Sequence, residues 1–147
     1  MKFTTILVSL LAAHVQAGVV SLEAECGDLQ VMSHDSLPAN VDPSQVRKCK
    51  EHPLRLSPNV KGHQLSGTAE DGSALERRDC WYGNPFGCSD GYCWKTCLGD
   101  GRWCWTAWDN GFGNWQTCAA DGECDPKEHP NANCGEGDGC DSCGCSC

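Results

Sequence analysis

The chain has 147 residues, fourteen of which are cysteine, and carries a formal net charge of −9. Nucleic-acid binders and membrane-disrupting antimicrobial peptides use Lys/Arg-rich faces, so we expect neither nucleic-acid binding nor membrane insertion, and an antimicrobial role is disfavoured. Cysteines at this density are typical of an oxidising compartment, where they form disulfides.

The first seventeen residues have the layout of a secretory signal peptide. Lys2 precedes an apolar run from Phe3 to Ala13, and a small residue, Ala17, stands at the expected cleavage point. The run is shorter than the ~18 to 20 apolar residues that a membrane anchor needs. We therefore expect a secreted, extracellular protein.

Residues 18–78 differ in composition from the rest of the chain. They lack Trp and Tyr, and they contain two cysteines, Cys26 and Cys49, which we expect to pair with each other. Asp42-Pro43-Ser44 predicts the start of a short helix, with Asp as N-cap and Pro in the first turn. No catalytic pattern is present, which is typical of a pro-segment.

Arg77 and Arg78 close this segment where the composition changes. A paired-arginine sequence in a secreted precursor resembles the processing sites of kexin-type proteases. The resemblance implies cleavage after Arg78 by such a protease, with residues 79–147 as the mature product.

Residues 79–147 contain twelve cysteines, with three Lys/Arg against eleven Asp/Glu. A chain this short gains little net stability from burial alone, and cross-links compensate. Because the cysteine count is even on both sides of Arg78, six bridges can close within the mature product, although their pairing stays open. The cysteines expected in these bridges are Cys80, Cys88, Cys93, Cys97, Cys104, Cys118, Cys124, Cys134, Cys140, Cys143, Cys145 and Cys147.

The dipeptide Asp100-Gly101 predicts a two-residue type I′ hairpin turn. This turn would place Thr96 opposite Trp105 and Leu98 opposite Trp103. Side chains alternate along a strand, so one face would collect tryptophans and the other cysteines. The tryptophan face would hold Trp94, Thr96, Leu98, Trp103, Trp105 and Ala107, and the cysteine face Cys93, Lys95, Cys97, Cys104, Thr106 and Trp108. We therefore expect a small, disulfide-rich, mainly β domain with many loops.

The tryptophan face is the candidate binding surface. Each indole offers ~150 to 250 Å², and contiguous apolar patches often mark interaction sites. The alternative is that another segment covers the face as a second small core. The candidate binding residues are Tyr92, Trp94, Trp103, Trp105 and Trp115.

Cysteine spacing leaves two other structural hypotheses. Cys93 and Cys97 would lie on one face of a helix, and with Cys143-Gly144-Cys145 they resemble the cysteine-stabilised αβ pattern of defensins and scorpion toxins. The spacing from Cys140 to Cys147 could hold a soft metal. The secretory route favours disulfides, so we expect no metal and no cofactor.

A glycan is the alternative partner. Residues 87–93, GCSDGYC, resemble part of the hevein-type chitin-binding pattern, and the resemblance implies that Tyr92 stacks on a sugar ring. Flat indoles near Asn110, Asn114 and Gln116 would suit stacking plus hydrogen bonding. Enzymatic chemistry is disfavoured, because residues 79–147 hold one histidine, His129, and no glycine-flanked nucleophile elbow.

The whole layout, from signal peptide and pro-segment to dibasic site and compact Cys-rich product, resembles fungal small secreted cysteine-rich proteins of the effector and toxin type. The resemblance implies a non-enzymatic virulence protein that binds a host or extracellular protein. It also implies that the pro-segment assists folding or keeps the product inactive until it is cut.

Overall fold

The computed structural model describes residues 21–56 and 80–147. The predicted signal peptide, with Ala17, and the dibasic site at Arg77 and Arg78 lie outside these residues. Across the two described ranges, no helix is both long enough and apolar enough to cross a membrane.

The centre of the fold is a four-stranded antiparallel sheet in the order β1-β2-β3-β4. Its strands are β1 (Phe86–Ser89), β2 (Tyr92–Thr96), β3 (Trp103–Ala107) and β4 (Asn133–Cys134). One short helix, α1 (Leu22–Cys26), lies in the N-terminal segment. Short 3₁₀ segments cover Gly27–Leu29, Pro53–Leu56, Asp109–Gly111 and Asp121–Cys124. The prediction of a small, disulfide-rich, mainly β fold is confirmed.

All fourteen cysteines lie in the described ranges, and all of them are in disulfides. Cys26–Cys49 closes the N-terminal segment. The remaining bridges join Cys80–Cys147, Cys88–Cys118, Cys93–Cys124, Cys97–Cys145, Cys104–Cys134 and Cys140–Cys143. No bridge crosses from residues 21–56 to residues 80–147, so the two parts are linked covalently only through the backbone.

The cysteine-stabilised αβ alternative is wrong for this fold. Cys93 lies in β2 rather than in a helix, and it pairs with Cys124. Only Cys97 reaches the Cys-Gly-Cys stretch, where it pairs with Cys145. β-Branched and aromatic neighbours such as Tyr92 and Thr96 favour a strand here, because they pack well on a pleated surface.

The β1–β2 hairpin turns at Asp90-Gly91. Both residues have positive φ, 48° and 85°, and Ser89 pairs directly with Tyr92. Two central residues with positive φ characterise the type I′ turn, whose twist matches that of the flanking strands. The Asp-Gly dipeptide that predicts a two-residue turn at Asp100 therefore forms one in the preceding hairpin instead.

The predicted register of the β2–β3 hairpin is wrong by two residues. Trp94 pairs with Trp105 and Thr96 with Trp103, whereas a two-residue turn would have placed Thr96 opposite Trp105. Leu98 is consequently in the loop, where it is 80 % exposed. Because side chains alternate with a period of two, this shift leaves each strand residue on its predicted face.

The hydrogen bonds of Asp100 account for the shifted register of the β2–β3 hairpin. The Asp100 carboxylate accepts hydrogen bonds from the backbone N–H of Arg102 at 3.1 Å and from the Arg102 guanidinium at 2.7 Å. These bonds lower the pKa of Asp100. Positive φ falls on Gly99 and Gly101 rather than on Asp100. The connection is thus a four-residue loop closed by the Cys97 N–H, which donates to Arg102 O at 2.9 Å.

The N-terminal segment forms a small unit of its own. Met32 N–H donates to Lys48 O, and Lys50 N–H donates to Gln30 O, both at 2.8 Å. The prediction of a helix at Asp42-Pro43-Ser44 is wrong: these residues form a hydrogen-bonded turn, in which Gln45 N–H donates to Asp42 O at 3.0 Å and Ser44 N–H donates to Asp42 Oδ1 at 2.9 Å. A short helix at this position would have only marginal stability in water, because forming its first turn is costly.

Gly91 provides a test of the type I′ turn. Replacing it with alanine is expected to lower the free energy of unfolding by about 1–2 kcal/mol, because φ is +85° while an added Cβ meets nothing closer than 4.0 Å. Denaturant unfolding of the disulfide-intact protein measures this change. Gly122→Ala is the matched control, since φ is not positive there and the surrounding space is open. Equal effects of the two substitutions would contradict the turn assignment.

Candidate binding site under the N-terminal segment

The tryptophan face is a contiguous, buried row of aromatic rings. Trp94 and Trp103 meet edge to face at 6.4 Å between centroids, and Trp103 and Trp105 do so at 5.1 Å. All three side chains are buried, and Trp81 extends the row beyond Trp94 at 5.4 Å. The expectation of an open tryptophan surface therefore does not hold in the described part of the uncleaved chain.

The opposite face of the hairpin is the predicted cysteine face. Cys93 and Cys104 have no exposed surface and bridge to Cys124 and Cys134. Thr106 lies beside them, with its hydroxyl 2.9 Å from Gln116 Oε1. Gln116 is buried by these contacts, so it does not serve as the surface sugar ligand that the glycan hypothesis envisaged. Hence both faces of β3 are covered.

His52 of the N-terminal segment occupies the end of the tryptophan row. Its ring stacks on Trp105 with centroids 4.2 Å apart and an interplanar angle of 2°. Tyr92 and Trp115 stand edge-on to the same imidazole at 4.6 Å and 4.8 Å. We call Tyr92, Trp105 and Trp115 the aromatic box. Leu54 packs against the tryptophan cluster, so the segment covers the Trp105 end of the predicted binding face.

The sheet and one glycine position the walls of the aromatic box. Tyr92 begins β2, Trp105 is the central residue of β3, and Trp115 forms an isolated bridge with Ala107 at the end of β3. Trp115 lies directly against Gly135, where an added Cβ would be 2.2 Å from the indole. A larger residue at position 135 would force the Trp115 ring to move.

Next to the box, a loop of the domain binds the carboxylate of Glu51. The backbone N–H groups of Asp141 and Ser142 donate to it at 2.9 Å and 2.8 Å, and the Ser142 hydroxyl donates at 2.7 Å. The Ser142 hydroxyl also accepts the His52 N–H at 2.7 Å. We call these three donors the acid cradle; they lie in the loop closed by Cys140–Cys143. Glu51 and His52 are fully buried.

A third contact holds Arg47. Its guanidinium donates to Gly111 O at 2.8 Å and to Glu136 O at 2.5 Å, and it lies 4.3 Å from the centre of the Trp115 ring. Burial lowers the pKa of Arg47 to about 10, a shift that the negative charges of Glu51 and Glu136 oppose. The group therefore stays cationic at neutral pH. We call the carbonyls of Gly111, Phe112 and Glu136 the carbonyl cage.

The structure divides the predicted binding residues into two groups. Tyr92, Trp105 and Trp115 come together around His52, whereas Trp94 and Trp103 lie along the row toward Trp81 and contribute to the core. Four residues in and around the box, Arg47, Glu51, His52 and Ser142, are not predicted as functional from the sequence. The available signal was the dense charge of residues 47–52 around Cys49, within the predicted pro-segment.

The hevein-like stretch, residues 87–93, forms the β1–β2 hairpin. Its cysteines pair with Cys118 and Cys124, and its aromatic residue, Tyr92, contacts His52. Comparison of the chain with protein-family models, with curated proteins and with solved structures gives no match.

Proposed function

We propose that the protein is a secreted, non-enzymatic precursor of the effector and toxin type, whose disulfide-rich domain binds a host or extracellular protein through the aromatic box. One observation carries this proposal. The N-terminal segment places His52 in the box, yet it shares no disulfide with residues 80–147. Cleavage after Arg78 by a kexin-type protease would leave only noncovalent contacts between the two parts.

Arg47, Glu51 and His52 together fill the site, and we call them the plug. The chemistry of their contacts supports removal of the plug after cleavage. Arg47 and Glu51 contact the domain through directed polar interactions, and His52 adds ring contacts to one backbone hydrogen bond. Buried ionic groups contribute little net stability compared with well-packed apolar residues of similar size, because their attraction offsets the desolvation cost only when the geometry is well matched. Removing the plug would leave an aromatic recess with a few convergent donors and acceptors, which is the usual make-up of a binding site.

The resemblance to fungal secreted cysteine-rich proteins adds the context. It implies action on another organism, often a plant, and a pro-segment that keeps the product inactive. The six bridges within residues 80–147 would hold the box rigid after release, so that little ordering entropy is lost on binding.

A chitin or other cell-wall glycan is the second candidate. A flat ring lies parallel to Trp105 at 4.2 Å, and a sugar ring could adopt a comparable position on the indole. Retention of the processed protein on insoluble chitin, with release by soluble oligomers, would favour the glycan. Passage through the chitin column together with saturable binding to a tissue protein would favour the first proposal.

Processing is expected to switch binding on. The wild-type secreted protein should begin at Asp79 and lack twelve hydrogens relative to the reduced chain, as six disulfides require. It should bind saturably to plant tissue, whereas the Arg77→Ala/Arg78→Ala variant, which keeps its plug, should not. Intact mass, N-terminal sequencing and binding of labelled protein measure these outcomes. Equal binding by the uncleaved variant would refute the proposed masking.

A further inference from the structure

We propose that the surface covered by residues 47–52 is a polypeptide-binding site that selects a partner segment with an arginine, a carboxylate four residues later and a ring side chain directly after it. This inference rests on the proposed function and specifies its ligand. The carbonyl cage, the acid cradle and the aromatic box each receive one of these groups from the chain itself. Arg47, Glu51 and His52 supply them.

Each of the three subsites has a distinct chemistry. The carbonyl cage offers oxygen acceptors beside the Trp115 ring, which suits a planar cation. The acid cradle offers three donors, two of them backbone N–H groups, which suits a carboxylate. The box offers a parallel indole with two edge-on rings, which suits a flat side chain. Together the three subsites select a combination of a planar cation, a carboxylate and a flat ring, which a simple apolar recess would not do.

Backbone contacts favour a polypeptide over a sugar. The N–H of Arg47 donates to Phe112 O at 3.0 Å, and the N–H of His52 donates to the Ser142 hydroxyl at 2.7 Å. These two bonds fix the chain at both ends of the contact. A neutral chitin oligomer could fill the box, but it would bring neither a guanidinium to the carbonyl cage nor a carboxylate to the acid cradle.

Charge supports the same occupant. Residues 79–147 carry three Lys/Arg against eleven Asp/Glu, whereas residues 47–52, RKCKEH, carry three Lys/Arg against one Glu. Complementary charge increases the rate at which such partners meet. The expected partner segment is therefore basic overall, with its acidic residue reserved for the cradle.

A short labelled peptide tests the site directly. The probe has the sequence of residues 46–54 with Cys49→Ser, and the receptor is the full chain cleaved after Arg78. The peptide should bind and release the native segment, followed by fluorescence anisotropy and by size exclusion with mass analysis. The uncleaved chain should bind it at least ~100-fold more weakly, because its own segment occupies the site at an effective concentration in the mM range.

Peptide variants define the selectivity. Glu51→Gln in the peptide should weaken binding roughly 10- to 100-fold, since a charged acceptor for three donors is lost. Lys48→Gln is the matched control, because Lys48 is exposed and contacts Glu25 of its own segment; its effect should stay below about threefold. If the native segment is too tightly held for exchange, the uncleaved Glu51→Leu chain, with a weakened plug, serves as a second receptor.

Three results would overturn the inference. The first is equal affinity of the wild-type and Glu51→Gln peptides, and the second is no binding to either receptor. The third is displacement of the segment by chito-oligosaccharides but not by the peptide, which would assign the site to glycans. Peptide binding without any binding to tissue would leave the site intact and refute the proposed function, whereas the converse would refute only the inferred ligand.

Discussion

Replacing Trp103 with alanine is expected to lower the free energy of unfolding of the full chain by about 3–5 kcal/mol. Its side chain is 2 % exposed and lies between Trp94 and Trp105, touching both edge to face. Removal of the indole loses its transfer free energy and leaves a cavity that disulfide-tethered strands cannot fully close. Denaturant unfolding with all bridges intact measures the loss, and lower secretion is expected to accompany it.

Leu98→Ala is the control for this experiment. Leu98 is one of the few large apolar side chains exposed within the described ranges, and it lies in the loop that follows β2. Its substitution should change the free energy of unfolding by no more than about 0.5 kcal/mol. If Trp103→Ala proved as mild as Leu98→Ala, the tryptophan row would be a surface and the assigned core would be incorrect.

Replacing Glu51 with leucine is expected to weaken the noncovalent attachment of the N-terminal segment to the domain of the cleaved protein. The substitution leaves the three donors of the acid cradle, the two of Ser142 being buried, without their acceptor. Each unsatisfied donor costs about 1–3 kcal/mol, so we expect a total of about 3–5 kcal/mol once partial hydration is allowed for. This corresponds to a roughly 10²- to 4 × 10³-fold rise in the dissociation constant of the segment.

Dissociation after cleavage can be followed by size exclusion or by isothermal titration with the segment of residues 18–78. Glu25→Gln is the matched control, because Glu25 also carries a carboxylate in this segment but pairs with Lys48 at the exposed surface. It should cost no more than about 1 kcal/mol. Comparable losses for the two variants would show that the acid cradle does not hold the plug.

The two substitutions distinguish the stability of the domain from the masking of its binding site by the N-terminal segment. Trp103 belongs to the row that the strands of the domain supply, whereas Glu51 belongs to the part that processing would remove. The first substitution should weaken the domain with or without the segment. The second should weaken only the attachment of the segment, which is what a removable cover requires.

Much of the local structure follows from residue order. The alternation of aromatic and sulfur positions in residues 93–105 assigns Trp94 and Trp105 to one face, and a register shift of two cannot change that. Even cysteine counts on both sides of Arg78 allow separate sets of bridges, and the structure shows that no bridge joins the two described parts. These are consequences of strand periodicity and of counting, so they need no tertiary information.

Turn geometry depends partly on the local sequence and partly on the hydrogen bonds that form in the folded chain. Asp90-Gly91 and Asp100-Gly101 are the same dipeptide, yet only the first forms a two-residue turn. At the second, the Asp100 carboxylate binds Arg102, and Gly99 offers another residue that tolerates positive φ. Competition among local hydrogen bonds, rather than the dipeptide alone, sets the register.

The sequence by itself determined the disulfide-rich, mainly β character of the chain and the two-sided hairpin, because these depend on composition and short-range periodicity. Only the tertiary structure decided which side chains cover the tryptophan face. Arg47, Glu51 and His52 contact partners about 50 to 90 residues away along the chain. Contacts over such separations leave no periodic signal in the sequence, because their selection depends on how two separately cross-linked parts meet in space.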